Sequence, residues 1–272
     1  MYFFVIGPLR VVADNTPLAV DGTHQRAALG MLLVQANRVV TTDRLVATLW
    51  RNDPPVTARR MVHKAVARLR GLLTDASASD AGLELVTGDG GYTLRVDAER
   101  LDSTRFFTLV RQTREAYLAG AAPAAARSLS AALALSTGPV LEDLTETGIS
   151  WPELRTLEAR RQTALEDLFD VALSCGRHRD VVGALESLTE PTGKRATRER
   201  LIGQCMLALY RCGRQLDALA VYRRSRVALV RRLGREPSRE LSDLHRRILG
   251  QEPSLDWEPA PVPAAHGVPA SR

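Results

Sequence analysis

The sequence predicts a mainly α-helical protein: an N-terminal winged helix-turn-helix of α+β type, followed by an all-α, tetratricopeptide-like helical domain. Three observations carry this. The first hundred residues mix short β-prone runs with amphipathic helical segments and close on a glycine-rich hairpin. From Asp102 to about Gly250 only helical signals occur, and one segment of the N-terminal part gathers an excess of basic residues.

Phe3-Phe4-Val5-Ile6 and Leu9-Arg10-Val11-Val12 read as short strands split by Gly7-Pro8. Asp14-Asn15 followed by Pro17 reads as a turn, and Leu18-Ala19-Val20 as a third strand closed by Asp21-Gly22. A helix follows over 23–36, with Ala28, Leu29, Leu32 and Leu33 on one stripe, Thr23 as its N-cap and Asn37 at its end. Val39-Val40 is extended. Thr41 or Thr42 then caps a short helix through Trp50, whose inner side is Leu45, Val46, Leu49 and Trp50. Pro54-Pro55 cannot continue that helix but can start the next. This one runs over 56–73 and buries Val62, Val66, Leu69 and Leu73. Leu83 to Val86 and Tyr92 to Val96 flank Gly88-Asp89-Gly90-Gly91, a hairpin by its turn chemistry. Strands, three helices, then a hairpin is the order of a winged helix-turn-helix.

Helices are expected beyond it at 103–119, 123–136, 151–175, 178–189, 196–212, 215–233 and 238–249. Cys175-Gly176-Arg177-x-x-Asp180 recurs as Cys212-Gly213-Arg214-x-x-Asp217, each time after a long helix and before a shorter Ala/Leu helix. That echo resembles a tetratricopeptide repeat. Domain boundaries are therefore placed at 1–97 and 98–252, with 253–272, proline-rich and aperiodic, as a disordered tail.

A chain of 272 residues, 45% hydrophobic and 25% charged, can bury two ordinary cores. No run of eighteen apolar residues suggests a membrane span, and the N-terminus lacks a signal-peptide pattern. Cys175, Cys205 and Cys212 form no CxxC pair and fit free thiols, so a soluble cytoplasmic protein is expected. Phosphate-loop and nucleophile-elbow patterns are absent, Gly193-Lys194 lacks the upstream glycine, and the histidines are scattered. No enzyme, cofactor or metal is expected.

The net charge of +6 matters through its placement. Arg51, Arg59, Arg60, Lys64, Arg68 and Arg70 face only Asp53 within residues 51–72. With Val62 inward, Thr57, Arg60, Lys64 and Arg68 fall on the opposite side of the helix, and Arg59, His63 and Arg70 on its flanks. Such a helix can enter a major groove and meet guanine edges or phosphates. Thr57, Arg59, Arg60, His63, Lys64 and Arg68 are the candidate recognition residues. His24, Arg26, Thr42, Arg44, Arg51 and Tyr92 are the candidates for the DNA backbone, from helix starts and the hairpin. For Tyr92 packing is weighed above phosphate contact, because the wing tip carries an acid and no base.

Several ordered motifs resemble the Streptomyces antibiotic regulatory protein (SARP) family, an OmpR-like winged helix joined to a bacterial transcriptional activation domain. They include Phe4 to Val11, Gln25 to Leu29, Ala36 to Val40, Asp43-Arg44-Leu45 with Leu49-Trp50, and Asp53-Pro54-Pro55. Further on come Arg68-Leu69-Arg70, Gly91 to Leu94, Leu207 to Arg214 and Leu233 to Leu241. The resemblance spans roughly residues 2–252. It implies an activator of a secondary-metabolite gene cluster in an actinomycete, binding direct repeats in promoter DNA as a homodimer. It further implies recruitment of RNA polymerase through a sigma factor and the C-terminal domain of the polymerase alpha chain. It implies neither a nucleotide-dependent module nor a receiver domain. His24 stands where the family often has a basic residue, and the segment Arg60 to Ala65 is more basic than usual, so the promoter sequence is left open. An interaction scaffold and a small-molecule sensor built on the helical repeats remain the alternatives.

Overall fold

The computed structural model of the protein describes residues 1–50, 53–76, 82–88, 90–190 and 198–257. Arg51, Asp89, the Gly193-Lys194 pair and residues 258–272 of the expected tail lie outside the described residues. The chain divides into two compact units, Met1–Leu165 and Glu166–Arg272, and the division falls within one long helix.

The first unit opens with an antiparallel sheet of β1 (Tyr2–Phe4), β2 (Arg10–Ala13) and β3 (Thr16–Leu18), in that order. Asp14 and Asn15, both at positive φ, form the two-residue turn between β2 and β3, where the strand pair closes at Ala13 and Thr16. The third strand thus starts two residues earlier than expected. Pro17 is tolerated because β3 is an edge strand.

α1 (Thr23–Val34) buries Ala27 to Leu33 and stops at the Gln35 cap, short of the expected Asn37, whose φ of 64° turns the chain after it. The cap position falls on Gly22 at φ 83°, not on Thr23; the Gly22 carbonyl accepts the N–H groups of Gln25 and Arg26. Asn37 then ties the chain to the hairpin. Its N–H donates to the Leu94 carbonyl at 2.9 Å, and its side chain exchanges two bonds with the Val96 backbone. β4 (Val40–Thr41) pairs with β6 (Gly91–Val96), and β6 pairs with β5 (Leu83–Gly88). A Cβ at Gly91 would lie 2.4 Å from the Val40 carbonyl oxygen, so only glycine admits this close approach. α2 (Thr42–Trp50) and α3 (Ala58–Ala76) complete the winged helix. Thr41 is the residue that caps α2, its hydroxyl accepting the Arg44 N–H at 3.3 Å. The core joins Leu29, Leu32 and Leu33 of α1, Val62, Val66 and Leu69 of α3, and Leu94 of β6.

The same unit continues through α4 (Asp102–Leu118), α5 (Ala122–Leu135), α6 (Glu142–Glu146) and the first part of α7 (Pro152–Ser174). Asp102 is almost fully buried and accepts the N–H groups of Val5 and Ile6, both at 2.9 Å. Burial pushes its carboxyl above the usual range, although those backbone donors pull the other way. Arg161, 1% exposed, donates to both oxygens of Glu158 and to the Ser136 hydroxyl. The short α6, which the sequence did not announce, follows Leu141 in a left-handed conformation at φ 48°.

In the second unit α9 (Glu199–Arg211) packs against α8 (His178–Leu188), α10 (Gln215–Leu233) and α11 (Arg239–Leu249). The internal echo is a structural repeat. Gly176 and Gly213 sit at φ 71° and 77°, and Arg177 and Arg214 donate their N–H groups back to Ala172 and Leu209. Both ends are Schellman caps. Arg177 then pairs with Asp180 at 2.6 Å and Arg214 with Asp217 at 2.7 Å, closing the same turn twice. The three cysteines are free thiols, and burial raises Cys205 to about 11.

The tail corrects one expectation. Residues 253–257 are not disordered: Leu255 is buried, and the Trp257 indole lies over Gly176 and donates to the Ser174 carbonyl at 3.1 Å. Arg211 holds the Leu255 and Leu173 carbonyls together at 2.8 and 2.9 Å. Apolar burial and a satisfied backbone outweigh the proline content there.

Candidate nucleic-acid interface

α3 owes its two faces to its residue spacing. Val62, Val66, Leu69 and Leu73 recur at helical intervals and are buried, while Arg59, Arg60, His63, Lys64 and Arg68 are exposed. Thr57 is exposed too, in the turn just before the helix. Val56 and Thr57 form that turn rather than the first helical residues, since Ala58 donates its N–H to the Pro55 carbonyl. Among the described residues no carboxylate pairs with Arg60, Lys64 or Arg68. A Cβ at Gly71 on the same helix would meet nothing within 4 Å. The result is an open cationic row along one side of a helix whose other side is anchored in the core.

The flanks are less free. Arg59 pairs with Asp43 of α2 across the exposed surface. His63 Nδ1 lies 2.6 Å from the Tyr92 hydroxyl, and the two rings meet edge to face. Arg70 donates to the Leu85 carbonyl at 3.1 Å and to the Thr87 hydroxyl at 2.6 Å. These two bonded pairs lock α3 onto the hairpin and so set the angle at which the cationic row is presented. Spacing gave no sign of the Arg70 and His63 ties, because their partners are 15 to 29 residues away.

The residues expected on the DNA backbone are placed unevenly. Tyr92 is 4% exposed and its hydroxyl is engaged by His63, so it packs and is not presented to a phosphate. Thr42 has a buried side chain, and its N–H donates to the Gly90 carbonyl. Arg26 is turned inward onto Asp143 and the Leu9 and Val20 carbonyls. Each of these three is engaged in hydrogen bonds within the unit, and for Tyr92 packing is already the weightier expectation. Arg44 keeps a half-buried ion pair with Glu153. His24 is half-buried against the Trp50 ring at 4.8 Å. Arg51 lies outside the described residues.

Among the described residues no three His, Cys, Asp or Glu side chains converge as a metal site would require, and no helix is long and apolar enough to cross a membrane. A winged helix with a free cationic helix face, followed by helical repeats, defines a transcriptional regulator. Residues 21–94 match the family described as "Transcriptional regulatory protein, C terminal", and residues 101–249 match "Bacterial transcriptional activator domain". The chain belongs to the Streptomyces antibiotic regulatory protein family.

It is 38% identical to the regulatory protein AfsR of Streptomyces coelicolor over 93% of its own length and 24% of that protein. It is 32% identical to the regulatory protein DnrI of Streptomyces peucetius, covering 98% of this chain and 99% of DnrI. Similarity to the transcriptional regulatory protein EmbR of Mycobacterium tuberculosis is 36% identity over 92% of this chain, which spans 64% of EmbR. A solved structure of EmbR, in complex with a low-affinity phosphopeptide, superposes with a TM-score of 0.74 at 36% identity, covering 93% of this chain and 65% of that one.

Proposed function

We propose that the protein is a sequence-specific DNA-binding activator of a secondary-metabolite gene cluster. In this reading residues 1–97 bind promoter direct repeats and residues 98–252 act as the activation domain, with two protomers side by side on the DNA. α3 enters the major groove. Arg60, Lys64 and Arg68 meet base edges and phosphates, with Thr57, Arg59 and His63 at the margins. His24 at the start of α1 and Arg44 in α2 supply the backbone contacts still open to this fold, Arg44 by exchanging Glu153 for a phosphate. The helical domain orients the second protomer and offers a surface to RNA polymerase. The similarity to AfsR and DnrI, both named regulatory proteins of Streptomyces, supports the class of target.

The single observation that carries the reading is the unpaired cationic row opposite a fully buried apolar stripe on α3. Genomic fragments selected by binding, followed by mobility-shift titration of Arg60→Ala and Lys64→Ala, test it. Each substitution should cost about 1–3 kcal/mol if the side chain reads a base, and relax the sequence at one position. Unchanged affinity for both variants rejects the placement of α3 in the groove. Binding with no salt dependence would favour the interaction scaffold instead.

A further inference from the structure

Within the first unit, the end of α1 and the loop after it, α4 and the first half of α7 line an open, solvent-facing cavity of about 580 Å³. Three guanidinium groups line it, from Arg38, Arg111 and Arg160, and among the described residues lining it none is acidic. Arg111 has an ion pair with Glu115, 3.0 Å away on its own helix, which engages one of its nitrogens. Arg38 has no carboxylate partner among the described residues, and Arg160 lies over the Phe107 ring, 4.6 Å from its centroid. The Ser103 and Thr104 hydroxyls add further donors. Gln35 also lines the cavity, and its side-chain amide nitrogen is buried with no hydrogen-bond partner. Phe107 and Leu157 supply an apolar wall.

We propose that this cavity binds a small organic anion: a phosphate or carboxylate carried on an aromatic or alicyclic body. The volume is that of a small-molecule site, and its charged lining groups are all cationic. Guanidinium groups meet such oxyanions in a forked, two-bond geometry. The apolar wall and the Arg160–Phe107 stack favour a flat body over a bare ion. The cavity would then place an effector between the DNA-binding elements and the helices that follow them, in contact with Arg38 just before β4 and with α4 and α7. This inference is independent of how α3 reads DNA.

Calorimetric titration of the full chain with phenyl phosphate, benzoate, inorganic phosphate and phenol tests it. Phenyl phosphate should bind at least about tenfold more tightly than inorganic phosphate, and phenol should not bind. Arg38→Gln and Arg160→Gln should each weaken phenyl phosphate by about tenfold while leaving the thermal transition of the chain in place. Two substitutions guard against one failing to fold, and the comparison among ligands needs neither. Equal affinity for phenyl phosphate and inorganic phosphate, or no binding of any anion, overturns the proposal. So does a loss of duplex affinity in both arginine variants with phenyl phosphate binding intact, which would make these arginines a DNA-backbone surface.

Discussion

Arg26 and Asp143, 117 residues apart, form a clasp on the Leu9 backbone. Arg26 Nε and Nη2 donate to Asp143 Oδ2 at 2.9 and 2.5 Å, Nη2 donates to the Leu9 carbonyl at 2.8 Å, and Asp143 Oδ1 accepts the Leu9 N–H at 2.9 Å. Both peptide groups of one residue are satisfied by an ion pair that joins α1 to α6. Arg26→Ala leaves the Asp143 carboxylate half-buried without its cation and the Leu9 carbonyl without a donor. We expect a loss of about 1–3 kcal/mol in urea unfolding, with duplex affinity of the folded protein unchanged. A double-mutant cycle with Asp143→Ala should give a coupling energy above about 0.5 kcal/mol. A stable Arg26→Ala protein with weakened duplex binding would return Arg26 to the DNA.

The Tyr92–His63 bond separates positioning of α3 from contact by α3. Tyr92→Phe keeps the buried ring and removes the hydroxyl that meets His63 Nδ1. Stability should fall by about 0.5–1.5 kcal/mol in chemical denaturation, and duplex affinity should change by less than about threefold. A direct phosphate contact from the Tyr92 hydroxyl would lower affinity and the salt slope together, and seeing both would contradict the packing role.

Legibility in the sequence followed the distance over which each signal acts. α3 was readable because Val62, Val66, Leu69 and Leu73 repeat with the helical period, and burial of all four bears that out. The hairpin was readable from its glycines, and the repeat from Cys-Gly-Arg, where glycine meets the left-handed cap and arginine the following aspartate. α6 spans five residues, too few to display a period, and its entry depends on Leu141 adopting a positive φ that no composition rule favours. Arg26 looked like a surface cation because its partner Asp143 is remote in sequence and joined to it only by folding. The cluster of Arg38, Arg111 and Arg160 was invisible for the same reason. In the tail, prolines masked two apolar side chains, Leu255 and Trp257, that find a surface to cover.

That surface makes a further prediction. Leu255 is 3% exposed and its carbonyl is held by Arg211. Leu255→Ala should destabilise the protein by about 2–5 kcal/mol, the range for truncating a buried leucine. Limited proteolysis should then cut near Trp257 faster than in the parent chain. Parent-like unfolding of the variant would mean that the segment contributes nothing to the second unit.

Salt dependence distinguishes the three cations of the exposed row. A lysine or arginine on a phosphate contributes about one unit of slope in log affinity against log salt, whereas one reading a base contributes sequence discrimination. Replacing Arg60, Lys64 and Arg68 one at a time by Ala should therefore give two kinds of result. A flatter salt slope at all sites marks a phosphate contact, and relaxed preference at one base pair marks a base contact. A variant set showing neither effect would leave the cationic row without a role in DNA binding.

Glu158 and Arg161 give the first unit an acid-sensitive joint. Burial is the largest influence on the Glu158 carboxyl and raises it, but the Arg161 hydrogen bonds and charge, the Val140 N–H and the Gln162 amide together outweigh burial and hold it at about 2, against an ordinary 4.5. The folded state therefore binds this proton more weakly than the unfolded state. The resulting stability is complete above about pH 4.5 and is lost as the pH falls through about 2, and it amounts to about 3 kcal/mol at neutral pH. Glu158→Gln removes the charge and strands the buried Arg161, so it should be strongly destabilising at pH 7, by about 3–5 kcal/mol. The difference between parent and variant in unfolding free energy should shrink as the pH is lowered from 6 towards 2, because the protonated parent carboxyl then resembles the amide. A difference that stays constant over that range would show that Glu158 is not the titrating partner of Arg161.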